Sequence, residues 1–252
     1  VTMSLLGLQR HGSGPPFVWL HGFTQTRDSA HQFRSILTGT YELLTLDLPG
    51  HGENARITAS LAEATDLLAD TLPDRPFVLG GYSLGARVAL HFALAHPARV
   101  RQVVLLGASR GIEDLDQRAL RRRSDEALAD RVEAVGTSIF LDEWLAQPMF
   151  AGLPLDPLER RARSTDPHGL ASSLRRSGTG TQEWLGARLA TLDVPTFALA
   201  GEEDDKFLIE AAAIAEGVAR GALRVVAGAH HATHLERPEL TARAIEEFTA
   251  RF

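Results

Sequence analysis

Six short apolar runs, at 17–20, 43–46, 77–79, 103–106, 196–200 and 223–226, recur along the chain with helix-like segments between them. A short apolar run bounded by turn residues reads as a strand buried on both faces, and strands alternating with helices read as βαβ units. Such a chain folds as α/β, with a mostly parallel central sheet flanked by helices on both faces. One interval breaks the rhythm. Between the fourth and fifth runs the pattern turns helical and polar, arginine-rich at 118–123 and again at 159–163, with Pro148, Pro154, Pro157 and Pro167 as helix breakers. This interval reads as a helical cap over 108–192, inserted into a core formed by 1–107 and 193–252. Pro238 opens a terminal amphipathic helix over 239–252.

The 252 residues contain no Ser/Gly/Pro-rich or like-charge linker, so the expectation is one globular unit. With 26 basic against 32 acidic residues the net charge is −6, which leaves no basic excess to hold a phosphate backbone and argues against nucleic acid as a partner. No stretch approaches the roughly 18 consecutive apolar residues of a membrane span. Cysteine is absent, which excludes disulfides, thiolate nucleophiles and zinc-thiolate sites together. The start, Val1-Thr2-Met3, shows no basic region ahead of Leu5-Leu6, so no secretory signal is visible and a cytoplasmic enzyme is expected.

Gly-x-Ser-x-Gly occurs twice after strand-like runs, at Gly81-Tyr82-Ser83-Leu84-Gly85 and at Gly107-Ala108-Ser109-Arg110-Gly111. A nucleophile elbow needs a sharp strand-to-helix turn, small flanking residues that let strand and helix approach, and a buried helix behind it. Context separates the two. Ser83 is followed by Ala86, Val88, Ala89, Leu90, Phe92, Ala93 and Leu94, whereas Ser109 runs into Glu113, Asp114, Asp116 and Arg118. Ser83 is therefore the expected nucleophile; as a plain helix N-cap it would not need the glycine-flanked setting.

A serine hydroxyl becomes nucleophilic or basic when an imidazole accepts its proton, and a carboxylate fixes that imidazole's tautomer. For an elbow serine the acid and then the histidine follow in chain order. The run at 196–200 ends in Gly201-Glu202-Glu203-Asp204-Asp205-Lys206, where Asp204 is the chosen acid and Asp205 and Glu202 remain alternatives by spacing. The run at 223–226 leads into His230-His231-Ala232-Thr233-His234, one of whose three histidines is expected to be catalytic. His230 and His234 also have the four-residue spacing of a zincin helix, but His231 occupies the place of the glutamate base and no third ligand is evident, so no metal is expected. His91 and His96 belong with the helix after Ser83, His11 and His31 with the surface, and His21 and His51 with turns where a hydrogen bond specific to the fold is expected. The segment Leu20-His21-Gly22-Phe23 ends another strand, so the backbone N–H groups of Phe23 and Leu84 are candidates for an oxyanion hole.

Over its full length the sequence resembles the α/β-hydrolase superfamily. Five segments are together similar to the 2-succinyl-6-hydroxy-2,4-cyclohexadiene-1-carboxylate synthases: the elbow continuing into Ala86-Arg87; Asp47-Leu48-Pro49-Gly50-His51-Gly52; Trp144 with Gln147-Pro148-Met149-Phe150; Gly169-Leu170-Ala171-Ser172-Ser173-Leu174-Arg175 with Gly178-Thr179-Gly180-Thr181-Gln182; and the acid loop through Phe207. The resemblance implies an α/β-hydrolase fold and a cofactor-free lyase of menaquinone biosynthesis, which eliminates pyruvate from a polycarboxylate as the cyclohexadiene forms. It implies that Ser83, activated by His231 and Asp204, abstracts the proton that starts the elimination. The family pattern Gly-His-x-x-His-x-Glu-x-Pro aligns its first histidine with His231 and the rest with His234, Glu236 and Pro238, with His230 in place of the glycine. The family's substrate-binding arginines match Arg87, Arg121 and Arg163, and its pocket aromatics match Tyr82 and Trp144.

Charge placement fits a carboxylate-rich substrate. Arg87 lies one turn past Ser83 in an otherwise apolar helix, near an N-terminus whose dipole disfavours a cation, and a guanidinium offers a bidentate fork to a carboxylate. Arg121 and Arg163 read equally well as a solvated basic face. Lys206, the only lysine in the chain, joins the candidate substrate-binding groups, although pairing with Asp204 or Asp205 would also account for it. A carboxylesterase or carbon–carbon bond hydrolase with the same triad is the first alternative. A non-catalytic small-molecule receptor on this fold is the second.

Overall fold

The computed structural model describes residues 6–154 and 156–252. The N-terminal stretch read for targeting lies outside the described residues, apart from Leu6. Among the described residues seven strands form one sheet: β1 (Leu8–His11), β2 (Pro16–Leu20), β3 (Glu42–Leu46), β4 (Phe77–Tyr82), β5 (Val100–Leu106), β6 (Thr196–Gly201) and β7 (Gly221–Val226). Their order is β1-β3-β2-β4-β5-β6-β7, with β1 antiparallel to β3 and every other pair parallel. The chain moves outward from β2 to β3, then returns to lay β4 on the other side of β2. That reversal opens a crevice beyond the carboxyl ends of β2 and β4, the place where ligands enter open α/β sheets.

Helices cover both faces because the strands are apolar on both. Along β2, β4, β5 and β6 alternate residues point to opposite faces. Val18, Leu20, Leu79, Val103 and Ala198 pack with α2 (Leu61–Thr71) and α3 (Leu84–Ala95), while Phe17, Trp19, Val78, Val104 and Phe197 pack on the opposite face. There they meet α1 (His31–Leu37) and the terminal helix through Phe33, Ile245 and Phe248. Helix α3 is buried along nearly its whole length, as the run after Ser83 requires.

Between β5 and β6 lie α4 (Leu115–Leu145), α5 (Pro157–Arg161) and α6 (Pro167–Ser177). Helices α4 and α6 share a small core of their own, built from Ala129, Val132, Phe140, Leu170 and Leu174. Gly136, at φ 77°, interrupts α4. Pro157 and Pro167, read as breakers, instead open α5 and α6 behind the caps Asp156 and Asp166, where a missing N–H costs nothing. After β6 come α7 (Asp205–Gly217), α8 (Thr233–Glu236) and α9 (Pro238–Thr249).

Two expectations need amendment. The four-residue β1 was not anticipated, being too short and polar to stand out. The last apolar run was read as buried on both faces, but β7 is the edge strand, with Leu223 42% and Val225 41% exposed.

Candidate active site

The turn after β4 holds Ser83 at φ 49°, ψ −104°, a conformation a non-glycine residue adopts only when its surroundings impose it. The Ser83 N–H donates to the Leu106 carbonyl (2.8 Å), tying the turn to β5. A side chain at Gly81 would strike the Gly85 backbone, and one at Gly85 the carbonyls of Leu20 and His21. These two glycines let α3 press against the ends of β4 and β2, which brings Ser83 beside the loop that follows β2.

The loops after β6 and β7 deliver the partners. His231 accepts from the Ser83 hydroxyl at Nε2 (3.1 Å) and donates from Nδ1 to Asp204 Oδ2 (2.7 Å). His231 is 2% exposed and its ring packs on Phe207 at 4.2 Å. The alternative acids are occupied elsewhere: Glu202 accepts from the Gly228 N–H, and Asp205 begins α7. Glu236, buried, accepts from the N–H groups of His230 and Ala232, so one carboxylate fixes the backbone on both sides of His231. A hydroxyl bonded to an imidazole that a carboxylate orients is equipped to give up its proton and act as nucleophile or base.

The other histidines have separate partners. His230 turns its Nδ1 to Glu236 and His234 its Nε2 to Gln25, so the pair with zincin spacing is divided between different neighbours. His21 donates from Nδ1 to the Gly22 carbonyl and accepts at Nε2 from the Leu48 N–H. His51 is placed in the same way between the Pro49 carbonyl and the Thr24 N–H. Burial pulls His21 down to about 4 and both His51 and His234 to about 3, so all three are neutral near pH 7. Ser109 has no such apparatus: its hydroxyl accepts from the Gly111 N–H, its carbonyl from Gln182.

A cavity of about 370 Å³ opens above Ser83. Phe23, Leu84, Tyr82 and Trp144 line it, as do Arg87, Arg121 and Lys206. The Leu84 N–H is the first of α3, with no carbonyl a turn earlier to accept it, and the Phe23 N–H makes no hydrogen bond among the described residues. Arg121 pairs with the buried Asp125 (2.7 Å). Arg87 bonds the Ser177 carbonyl (2.8 Å) and, like Lys206, forms no ion pair among the described residues. Burial, and then the charge of Arg121, lowers Arg87 to about 10 and moves Lys206 in the same direction. Burial raises the Tyr82 phenol. Arg87, Arg121 and Lys206 thus face one cavity whose lining also carries two carboxylates, Asp125, paired with Arg121, and Glu210, paired with Arg110.

Arg163 lies apart from that group. It faces a second cavity of about 480 Å³, separated from the first by Gln147 and Phe150, and its Nη1 donates to Thr24 Oγ1 (2.6 Å). Sequence reasoning did not single out Thr24, met Gly107 only as the first residue of the second Gly-x-Ser-x-Gly motif, and did not assign Glu236 its bracing role. A glycine at the end of β5, opposite the elbow, was the available sign for Gly107.

Comparison with known proteins adds an independent line. A profile described as the alpha/beta hydrolase family matches residues 17–244. The 2-succinyl-6-hydroxy-2,4-cyclohexadiene-1-carboxylate synthase of Escherichia coli O1:K1 / APEC is 34% identical over 94% of this chain and 95% of its own. The synthase of the same name from Enterobacter sp. (strain 638) is 34% identical over 97% and 96%. The structure of MenH from S. aureus aligns at TM-score 0.89 and 30% identity, covering 98% of both chains. A thermophilic esterase from Thermogutta terrifontis, solved with malate bound, aligns at TM-score 0.81 and 25% identity over 98% of this chain and 93% of its own.

Proposed function

The chain belongs to the alpha/beta hydrolase family, and from that membership we propose that it eliminates pyruvate from a polycarboxylate cyclohexene to give 2-succinyl-6-hydroxy-2,4-cyclohexadiene-1-carboxylate. It is an enzyme of menaquinone biosynthesis, as its relatives named for that synthase are. Ser83, His231 and Asp204 act as the triad, with the N–H groups of Phe23 and Leu84 as oxyanion hole and 108–192 as the cap. The observation that carries the reading is the hydroxyl–imidazole–carboxylate chain, 3.1 and 2.7 Å long, beneath a cavity edged by Arg87, Arg121 and Lys206.

The chemistry follows from the groups. A ring proton next to the succinyl carbonyl is acidic because its loss gives an enolate. Ser83 takes that proton as its own passes to His231, whose imidazolium Asp204 stabilises. The enolate oxygen accepts from the N–H groups of Phe23 and Leu84. Its electron pair then returns to the ring, a second carbon–carbon double bond forms and the carbon–oxygen bond to the enolpyruvyl group breaks. The leaving group picks up one proton to become pyruvate. No water is consumed, and the cations of the cavity hold the substrate's carboxylates.

A hydrolase is the second reading, favoured by the structural likeness to the esterase from Thermogutta terrifontis. The same triad would then attack an ester carbonyl and water would release the product. Pyruvate release from the polycarboxylate, followed with a coupled dehydrogenase, is the test. Release that depends on Ser83 supports the lyase; ester turnover without pyruvate release selects the hydrolase. Failure of a serine-directed organophosphorus probe to label Ser83 would return a receptor role.

A further inference from the structure

Among the described residues three non-glycine residues have φ in the left-handed region: Ser83, Thr24 (68°) and Ala30 (58°). The first is the elbow serine. The other two lie in the loop that leaves β2 and carries Phe23, and neither type adopts this conformation unaided. Both are gripped by one short segment of the cap. The Ser164 N–H donates to the Thr24 carbonyl (2.8 Å) and Arg163 Nη1 to Thr24 Oγ1 (2.6 Å). The Ala162 carbonyl accepts from Thr26 Oγ1 (2.6 Å), and Glu159 Oε2 accepts from the Ala30 N–H (2.8 Å). From the core side, among the described residues, the one hydrogen bond to Thr24 is that of the neutral His51 ring, which accepts from its N–H (3.3 Å).

We infer that Arg163 is a positioning residue for the oxyanion loop: through Thr24 it holds the Phe23 N–H toward Ser83, and the substrate's carboxylates are left to the cations of the other cavity. This rests on the reading of Phe23 as an oxyanion donor. Arg163 is 8% exposed, has no carboxylate within ion-pair distance among the described residues and does not line the cavity above Ser83. A strained loop keeps its shape only when its surroundings over-determine it; the core holds its ends through Gln25 and the Arg27 N–H, and the cap supplies the bonds to the Thr24 hydroxyl, the Thr24 carbonyl and the Ala30 N–H. The side chain of Thr24, next to the donor, is therefore the handle by which the cap sets the donor's direction.

The two roles separate by measurement. Phenylboronic acid, neutral and without a carboxylate, forms an adduct on an activated serine that places an oxygen in the oxyanion hole, and its binding can be followed by the change in tryptophan fluorescence, Trp144 being the one of the three tryptophans that lines the cavity. Arg163→Met and Thr24→Val are expected to weaken phenylboronate binding about tenfold or more and to lower kcat, with KM within about twofold of the parent. The double variant should be no worse than either single one, because both break the same bond. Thr24→Ser, which keeps the hydroxyl, should restore most of the affinity. The inference is overturned if Arg163→Met raises KM for the polycarboxylate and leaves phenylboronate binding unchanged, or if Thr24→Val is silent. Should Arg163→Met fail to fold, the Val and Ser variants of Thr24 decide alone. Pyruvate release by the parent protein is read separately, so a failed lyase assignment leaves the phenylboronate comparison standing.

Discussion

A Cβ on Gly107 would stand 2.6 Å from Cε1 of His231. The glycine that opens the second Gly-x-Ser-x-Gly motif thus makes room for the imidazole that serves the first. Gly107 also sits at φ 57°, so a side chain there is strained by the backbone as well as by the ring. Gly107→Ala is expected to push His231 out of line with Ser83 and lower kcat by about 10²-fold or more, while KM changes little. Steady-state kinetics with a folded variant checks it.

Ser83→Ala should lower kcat at least about 10³-fold, and Ser109→Ala should leave it within about twofold. In the same way His231→Ala should be far more damaging than His230→Ala, whose ring bonds Glu236 rather than Ser83. Comparable losses within either pair would move the chemistry to the other member.

Arg87 separates recognition of a carboxylate from support of the elbow. Arg87→Ala should lower kcat/KM for the polycarboxylate roughly 10- to 200-fold, or about 1.5–3 kcal/mol for a lost charge-assisted bond. Lysine in its place should recover part, keeping the charge without the fork. Turnover of a small neutral ester should hardly change. An equal fall on both substrates would mean that Arg87 acts through the Ser177 carbonyl it holds.

The placement of the elbow is legible because burial is written into composition: the helix after Ser83 is apolar apart from Arg87 and His91, and the segment after Ser109 is charged. The acid is less so. Glu202, Asp204 and Asp205 lie within four residues of one another after β6, and the backbone path there decides which reaches His231, a property that spacing does not encode. Arg163 drew attention by charge and resemblance, but its neighbour depends on how the turn between α5 and α6 meets the loop after β2. The left-handed Thr24 and Ala30 left no trace, since neither residue type advertises that conformation. Edge position made the apolar run of β7 look central, because hydrophobicity alone does not tell an edge strand from an interior one.

Stability should fall as the solution is acidified below the ordinary histidine range. His21, His51 and His234 titrate near 6.5 in the unfolded chain but at about 4, 3 and 3 in the fold, because burial disfavours the cation. Between those values the unfolded state binds protons that the native state refuses, so the unfolding free energy drops with falling pH. Each histidine accounts for about 1.5 kcal/mol between pH 6.5 and pH 5. Urea unfolding at the two pH values should show a difference that shrinks by about that amount in His234→Gln. An unchanged difference would mean that His234 is protonated in the fold.

Lys206 gives the wall of the catalytic cavity a chemical address. It carries the one side-chain primary amine of the chain, so an acylating dye or an isotopic methyl label placed on side-chain amines goes to a single position beside Phe207 and Arg121. Any carboxylate that enters alters the field at that nitrogen. Labelling rate or chemical shift then reports occupancy directly, without turnover and without introducing a foreign residue.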